Sequence, residues 1–462
     1  MKIKSLAFLL ACLLLCLIPT VGIIFFPTTK TSENRAMSEM PVLVKDGKLN
    51  TRFFDEFSDY FNEHMGLRNY MVTADARIQE TLFGVSNVDG VVVGEDGWLY
   101  YSATLNDYLG TEVLSERELY NLAHNLSIVD DYLTERGIDL VVIIPPNKNT
   151  LYGEHMPYYD EYIVDQDHSA VLLKSYLADQ DVPYLDLFEL FEAQDEVLYL
   201  KRDSHWGTKG AWLVYNAVLD ELGVAHERYE AEEPKLGKTH SGDLDRMLHS
   251  FFGELEEDYT YPMKNAYSFS SETADVTSGW LISTNPDGEG TILMFRDSFA
   301  DNLIPFFSDE FATAYYSKGI PGHLERYLET YAPEHVVIEK VERNITDYLN
   351  SPPIISPVTG ELPDDIIIAD TTSEISIEVS EYDINYYLLS GAIDPERVET
   401  DTEVLVSVNG AVYRAFQTGE NGFALYLKKA DFSEGETLEI RVFALTAERC
   451  VRVLATELAT EE

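Results

Sequence analysis

The spacing of apolar residues changes twice along the chain, and each change marks a different kind of structure. In residues 52–84 apolar side chains recur every three or four positions, which predicts amphipathic helices. Residues 91–101 read as two strands joined by a glycine-containing turn. Residues 113–347 then alternate helical segments with short apolar strands, and residues 374–458 alternate apolar and polar positions with period two. The pattern predicts helical, α/β and all-β parts in that order.

The middle part predicts a mostly parallel sheet. Strands are expected at 138–146, 182–187, 290–295, 313–317 and 335–341, and helices at 115–137, 168–181, 208–223, 299–311 and 322–332. Parallel strands need crossover connections, and the helices in those connections cover both faces of the sheet. We therefore expect a three-layer α/β/α sandwich.

The last part predicts a β-sandwich. A proline-rich segment, residues 351–365, separates it from the α/β part and reads as a linker. Residues 408–413, VNGAVY, carry the Asn-Gly signal of a β-hairpin. Several such runs separated by turn residues predict two packed antiparallel sheets of about 90 residues in all.

The N-terminus predicts a membrane segment. Lys2 and Lys4 precede an uncharged run of 25 residues from Ser5 to Thr29. About 20 apolar residues are enough to span a bilayer, and basic residues stay on the cytoplasmic side. We expect a single-pass anchor that leaves the rest of the chain outside the cell membrane. A cleaved signal peptide or lipidation at Cys12 remain alternatives, and each of them also exports the chain.

These boundaries divide the chain into four parts. They are a transmembrane segment at 1–29, an α/β domain at 30–350, a proline-rich linker at 351–370 and a β-sandwich at 371–462.

Charge and cysteine content exclude several classes of function. The chain has 81 acidic and 33 basic residues, a net charge of −48, so it lacks the basic face that nucleic acid requires. Three cysteines, two of them in the N-terminal apolar run, cannot build a disulfide framework or a cysteine-rich zinc site. Calcium-loop spacing is also missing. We expect no cofactor and no metal.

Two stretches place reactive side chains near the ends of strands. Ser298 follows the strand at 290–295, at a turn into a helix where backbone N–H groups could stabilise an oxyanion. Asp203 and His205 lie two residues apart, so in an extended segment both side chains point to one side. A serine needs such an imidazole, held by a carboxylate, to become a nucleophile. The alternatives are helix capping at Asp297 or Ser298, and a metal-binding or polar loop at His205.

The motifs resemble those of the DHHW family and the alginate O-acetyltransferase-like proteins, which belong to the SGNH-hydrolase-like group. DSHW at 203–206 precedes RDSF at 296–299, and further matching stretches lie in order between residues 32 and 347. These are SENRAMSEMP, GEDGWLYY, PNKNTLYGEHMP, SGDLDRML and VVIEKVERNI. The resemblance implies a triad of Asp203, His205 and Ser298. Ser204 replaces the second letter of DHHW, and Arg296 stands where SGNH esterases often have glycine.

The resemblance also implies a function. It points to an O-acetyltransferase or acetylesterase that modifies a cell-wall or exported polysaccharide, with a membrane-bound acyltransferase as an implied supplier of acetyl groups. Lys148, Tyr152 and Asn302 are candidate substrate or oxyanion contacts. A non-catalytic protein that binds polysaccharide or serves as a scaffold is the alternative.

Overall fold

The computed structural model of the chain describes residues 38–460 except 46, 66, 250–252, 369–375 and 434, together with scattered positions among residues 5–22. The helices are α1 (Phe53–His64), α2 (Arg68–Ile78), α3 (Leu105–Leu109), α4 (Glu116–Thr134), α5 (Lys148–Leu151), α6 (Ser169–Asp179), α7 (Leu187–Glu192), α8 (Thr208–Glu221), α9 (Asp243–Leu248), α10 (Ile304–Glu310), α11 (Leu324–Tyr331) and α12 (Asp347–Asn350). The strands are β1 (Val44–Lys45), β2 (Lys48–Leu49), β3 (Val91–Val93), β4 (Leu99–Tyr101), β5 (Asp139–Ile143), β6 (Tyr184–Leu185), β7 (Lys235–Ser241), β8 (Leu255–Thr260), β9 (Ser268–Phe269), β10 (Trp280–Thr284), β11 (Thr291–Arg296), β12 (Thr313–Lys318), β13 (His335–Glu339), β14 (Ile366–Ile368), β15 (Ser376–Glu381), β16 (Tyr386–Ala392), β17 (Glu403–Val408), β18 (Ala411–Arg414), β19 (Phe416–Thr418), β20 (Gly422–Lys428), β21 (Thr437–Leu445) and β22 (Cys450–Ala459).

A seven-stranded mixed sheet in the order β6-β5-β13-β11-β12-β10-β9 forms the centre of the α/β part. Its pairs from β6 to β12 are parallel, whereas β10 runs antiparallel to both β12 and β9. Alternate residues of the parallel strands enter separate cores on the two faces. Leu293 and Phe295 of β11 face α4, α6 and α11, and Ile292 and Met294 face α8 and α10. The expected α/β architecture with a mostly parallel sheet is confirmed.

Local sequence signals account for the ends of the covering helices. α4 begins with a capping box, in which the Ser115 side chain accepts from the Glu118 N–H while the Glu118 carboxylate accepts from the Ser115 N–H. The following strand, β5, is a short apolar run, and Gly137 with a positive φ of 68° makes the turn between them. Helix and strand thus follow one another where the apolar period changes.

Two further sheets form the C-terminal part, with the orders β14-β22-β21-β17-β18 and β15-β16-β20-β19. Apolar residues from both sheets share one core, in which Leu389 and Leu425 meet Val406 and Ile440. A further β-sheet part is therefore present, and we call it the β module. Its Phe416 and Tyr426 also enter the core around α4, so the β module packs directly on the α/β part.

The segment predicted as a linker does not run through solvent where it begins. Ile354, Ile355 and Val358 are buried in the core shared by α4 and the β module. The apolar residues between the prolines explain this packing, because they bury surface that a solvated tether would expose.

The predicted membrane segment, residues 1–29, lies largely outside the described residues. Among the residues that are described, no helix has the length and apolar character needed to cross a membrane.

Candidate active site

The DSHW stretch forms a tight loop whose base is fixed by backbone hydrogen bonds. Gly207 N–H donates to the Leu198 carbonyl at 2.8 Å, and Leu200 N–H donates to the His205 carbonyl at 3.3 Å. Trp206 is fully buried and stacks on Phe191, so it anchors the loop in the core beneath α8. The anchored loop turns Asp203 and His205 toward the carboxyl ends of the parallel strands.

Ser298 lies in the turn that follows β11, directly before a 3-10 helix at Phe299–Asn302. The capping role falls to Asp297, whose carboxylate accepts from the Phe299 N–H and the Val341 N–H, each at 2.9 Å. The Ser298 side chain makes no capping hydrogen bond. Its hydroxyl is therefore left to face the DSHW loop.

The structure brings the three predicted triad residues into one hydrogen-bonded row. His205 Nε2 lies 2.8 Å from Ser298 Oγ, and His205 Nδ1 lies 2.7 Å from Asp203 Oδ1. Asp203 is 3% exposed, so its carboxylate interacts with His205 with little screening by water. The arrangement has the order serine, imidazole, carboxylate that proton transfer from a serine hydroxyl requires.

The electrostatics of the row favour a charged carboxylate and a basic imidazole. Burial by itself would raise the pKa of Asp203, but hydrogen bonds from His205 and His240 hold that pKa well below its usual value. Burial would lower the pKa of His205, yet the hydrogen bond and charge of Asp203 raise it above its usual value. His205 is thus a stronger base than a free imidazole.

A second histidine binds the same carboxylate. His240 Nε2 lies 2.8 Å from Asp203 Oδ2, and the Asp243 N–H donates to that oxygen at 2.9 Å. Asp243 in turn accepts from the Ser204 N–H and hydroxyl, at 2.7 and 2.5 Å. These partners were not predicted from the sequence. The one signal was that His240 stands directly before the SGDLDRML stretch.

The other three candidate contacts make hydrogen bonds that support the loop. Lys148 Nζ is buried and donates to the carbonyls of Leu200, Lys201 and Asp203 at 3.1, 2.9 and 2.5 Å, which uses all three of its N–H groups. It therefore holds the DSHW loop, and the substrate contact expected of it stays a prediction.

Tyr152 and Asn302 have similar structural contacts. The Tyr152 hydroxyl accepts from the Leu198 N–H at 3.0 Å, and its ring packs between Trp98 and Tyr199. Asn302 Nδ2 donates to the Trp206 carbonyl at 3.1 Å, which ties the turn of Ser298 to the DSHW loop. A substrate or oxyanion contact of either residue stays a prediction.

The arginine that departs from the esterase pattern also has a structural place. Arg296 is fully buried, pairs with Asp301, and donates to the carbonyls of Val276 and Ser278 at 2.8 Å each. Its guanidinium thus fixes the loop before β10.

Asp203, His205 and Asp243 also bring three atoms that could ligate a metal within 4.8 Å of one another. Two of these atoms, Asp203 Oδ1 and His205 Nδ1, are already joined by the 2.7 Å hydrogen bond of the triad. An ion there would have to replace that bond, so the donor set fits a triad better than a metal site.

Part of the chain is similar to known proteins. Residues 91–287 match the family described as the SGNH hydrolase-like domain of the acetyltransferase AlgX. That match includes Asp203 and His205 and ends before Ser298. Probable alginate O-acetylase AlgJ of Pseudomonas aeruginosa is 27% identical over 203 residues, which are 42% of this chain and 50% of that protein. The chain thus spans about half the length of the curated relatives that it matches.

Two solved structures resemble the chain over about half its length. A DHHW family protein from Eubacterium siraeum has a TM-score of 0.41 and 13% identity, covering 56% of this chain and 93% of that one. The O-acetyltransferase domain of Pseudomonas putida AlgJ has a TM-score of 0.36 and 18% identity, covering 55% and 92%. The family match and the AlgJ relatives confirm the resemblance to the alginate O-acetyltransferase-like group of SGNH-hydrolase-like proteins.

Proposed function

We propose that this chain, which resembles the alginate O-acetyltransferase-like SGNH proteins, is an extracytoplasmic O-acetyltransferase or acetylesterase that acts on a cell-wall or exported polysaccharide. The observation that carries the proposal is the row of Ser298, His205 and Asp203, with its 2.8 and 2.7 Å contacts. The names of the AlgJ relatives support acetyl transfer as the reaction.

In the first half of the reaction Ser298 Oγ attacks the carbonyl carbon of an acetyl donor. His205 Nε2 takes the hydroxyl proton as the new C–O bond forms, and Asp203 stabilises the resulting imidazolium. Within the described part of the chain, no hydrogen bond occupies the Ser298 N–H, so it is available to the oxyanion. The tetrahedral intermediate expels the donor's leaving group, which takes the proton from His205, and an acetyl-serine remains.

In the second half an acceptor hydroxyl replaces the donor. His205 removes the proton of that hydroxyl while its oxygen attacks the acetyl carbon, and the proton returns to Ser298 Oγ as the C–O bond to the serine breaks. A sugar hydroxyl gives transfer and water gives hydrolysis. Both outcomes use one acetyl-enzyme, and the acceptor decides between them.

The place and partners of the chain belong to the same proposal. The uncharged run from Ser5 to Thr29 behind Lys2 and Lys4 supports anchoring in, or export across, the cell membrane. In this proposal the chain binds its polysaccharide acceptor outside the cytoplasm. A membrane-bound acyltransferase is the partner proposed to deliver acetyl groups there.

Ester turnover and polysaccharide acetylation by the full chain test the proposal. Ser298→Ala removes the nucleophile, and both activities should fall by about three orders of magnitude or more. Ser175→Ala removes an exposed hydroxyl on α6 and should leave both activities unchanged. Equal activity of wild type and Ser298→Ala would overturn the proposal. So would polysaccharide binding without turnover, which is the behaviour of a scaffold.

A further inference from the structure

Three aromatic side chains form a partly exposed surface on the α11 side of the sheet. The ring of Trp280 lies 5.3 Å from that of Tyr327 and 5.2 Å from that of Tyr331, measured between centroids. The planes of the three rings differ from one another by 26 to 33°. Because the rings are nearly parallel and within stacking distance, they pack on one another as one partly exposed aromatic cluster.

This surface lies near the proposed nucleophile. Trp280 is the first residue of β10, and because β10 is antiparallel to β12, it pairs with Ser317 near the carboxyl end of that strand. Ser317 is in turn level with Phe295 of β11, three residues before Ser298. Two strand spacings make about 10 Å across the sheet and three residues add about 10 Å along it, so the two backbone positions lie roughly 14 Å apart, a span that one polymer chain covers.

Two polar side chains stand beside the rings without partners of their own. His323, directly before α11, and Arg326 are exposed beside Tyr327 and Tyr331, and within the described residues neither side chain makes an ion pair or hydrogen bond. Together with the rings they line a cavity of about 330 Å³ in which no described carboxylate takes part. In a chain with a net charge of −48, such a cavity suits an electron-rich or acidic ligand.

The cavity continues toward the β module. His323 and Arg326 also line a neighbouring cavity of about 640 Å³ of mixed charge, whose other lining residues include Lys428 and Lys429 and the carboxylates of Glu325, Glu329 and Asp383. Shared lining residues join the two cavities into a groove along α11. An extended groove fits a linear polymer better than a small molecule.

We propose that Trp280, Tyr327 and Tyr331, with His323 and Arg326, form an accessory subsite for the sugar polymer whose hydroxyl receives the acetyl group. The apolar C–H face of a pyranose ring packs on the aromatic surface, where rigid rings bury area at little entropic cost. Arg326 and His323 donate to ring hydroxyls or to a carboxylate. This inference rests on the proposed function, and adds a place for the acceptor outside the triad.

Calorimetric titration of the full-length Ser298→Ala protein tests the subsite without turnover. Cellohexaose serves as a neutral probe and hexagalacturonate as an acidic one, and binding of either supports the inference and identifies the preferred sugar. Arg326→Ala and Tyr331→Ala should each raise the Kd of the bound probe about tenfold or more. Tyr162→Ala, at a side chain 59% exposed elsewhere, should leave the Kd unchanged.

Conservative variants separate recognition from misfolding. Tyr331→Phe keeps the ring, so it should regain most of the binding lost in Tyr331→Ala. The subsite is wrong if neither probe binds, or if Arg326→Ala and Tyr331→Ala bind as the parent does. Because ester turnover by wild type against Ser298→Ala tests the nucleophile on its own, the subsite can fail while the proposed function stands.

Discussion

Asp203 accepts four hydrogen bonds, from the His205 N–H and ring, from the His240 ring and from the Asp243 N–H. A carboxylate so surrounded stays ionised and keeps one position. It can therefore both orient His205 and stabilise its charge. The role proposed for Asp203 depends on His240 as much as on the loop itself.

The pH dependence of ester turnover should follow His205. The imidazole must be neutral to accept the serine proton, and the charge of Asp203 stabilises the protonated form. The pKa of His205 is therefore raised, and kcat/KM should increase with pH through a midpoint above about 6.5. The midpoint is measured from the turnover rates of a small acetyl ester, after the rate of the Ser298→Ala variant has been subtracted at each pH. A midpoint at lower pH would show that His205 is not the base.

His240 is expected to act as a positioning residue. His240→Ala removes one donor from Asp203, so the carboxylate attracts the His205 proton more strongly. The midpoint of the kcat/KM profile should move to higher pH, and activity near neutrality should fall about tenfold. His240→Gln keeps an N–H donor and should lose less. Equal losses in both variants with an unmoved midpoint would indicate a purely structural role.

At the scale of elements, the loop that carries the proposed triad depends on a largely buried ionic cluster. Arg202 directly precedes Asp203, and its guanidinium binds Asp245 of α9 and Glu80, with Nε–Oδ1 and N–O distances of 2.7 and 3.0 Å. His249 bridges the same two carboxylates, at 2.9 and 3.0 Å. The cluster joins α9 to the loop before His205.

Removing the arginine should destabilise the fold. Arg202→Leu leaves the buried Asp245 and the half-buried Glu80 without their main cation, and the free energy of unfolding should fall by about 3–5 kcal/mol. Urea denaturation measures it.

The stability of the Arg202→Leu variant should depend more strongly on the charge of His249. Burial lowers the pKa of His249, but Asp245 and Glu80 raise it above its usual value. Its stabilising contribution is thus complete below about pH 6.5 and is lost as pH rises through the raised pKa. Arg202→Leu should therefore be less stable at pH 8 than at pH 6, and the reverse order would contradict this assignment.

The sequence predicted the elements that have a distinct local pattern of apolar residues. It missed the elements and contacts that no local pattern marks. The parallel strands and their helices were expected close to the observed bounds, because each buries a distinct apolar period. The hairpin of β7 and β8 was not expected, since its residues are mostly exposed and show no alternation. His240 lies on that hairpin, 37 residues from Asp203. Lys148 likewise meets carbonyls more than 50 residues away, a contact that spacing does not encode.

At the scale of the whole molecule, the β module is docked through buried polar contacts. Asn125 of α4 donates to the Gln417 carbonyl at 2.9 Å and accepts from the Gln417 N–H at 2.8 Å, as a neighbouring strand would. Arg117 donates to the carbonyls of Thr400, Thr402 and Glu420. The docked edge of the β module therefore depends on α4 for hydrogen bonds.

Thermal unfolding should show that the β module depends on α4. Wild type is expected to unfold in a single calorimetric transition that includes both parts. Asn125→Leu leaves the buried backbone groups of Gln417 unpaired, so stability should fall by about 1–3 kcal/mol and the transition should broaden or split. Two separate transitions already in wild type would contradict tight docking.

The central claim is that Ser298 carries the acetyl group. The direct measurement is peptide mass spectrometry of the full chain quenched during turnover of an activated acetyl ester. The account predicts the mass of one added acetyl group on the peptide that contains Ser298, and its loss in Ser298→Ala and His205→Ala. An acetyl group on another residue, or turnover with no acetyl-enzyme in any peptide, would contradict it.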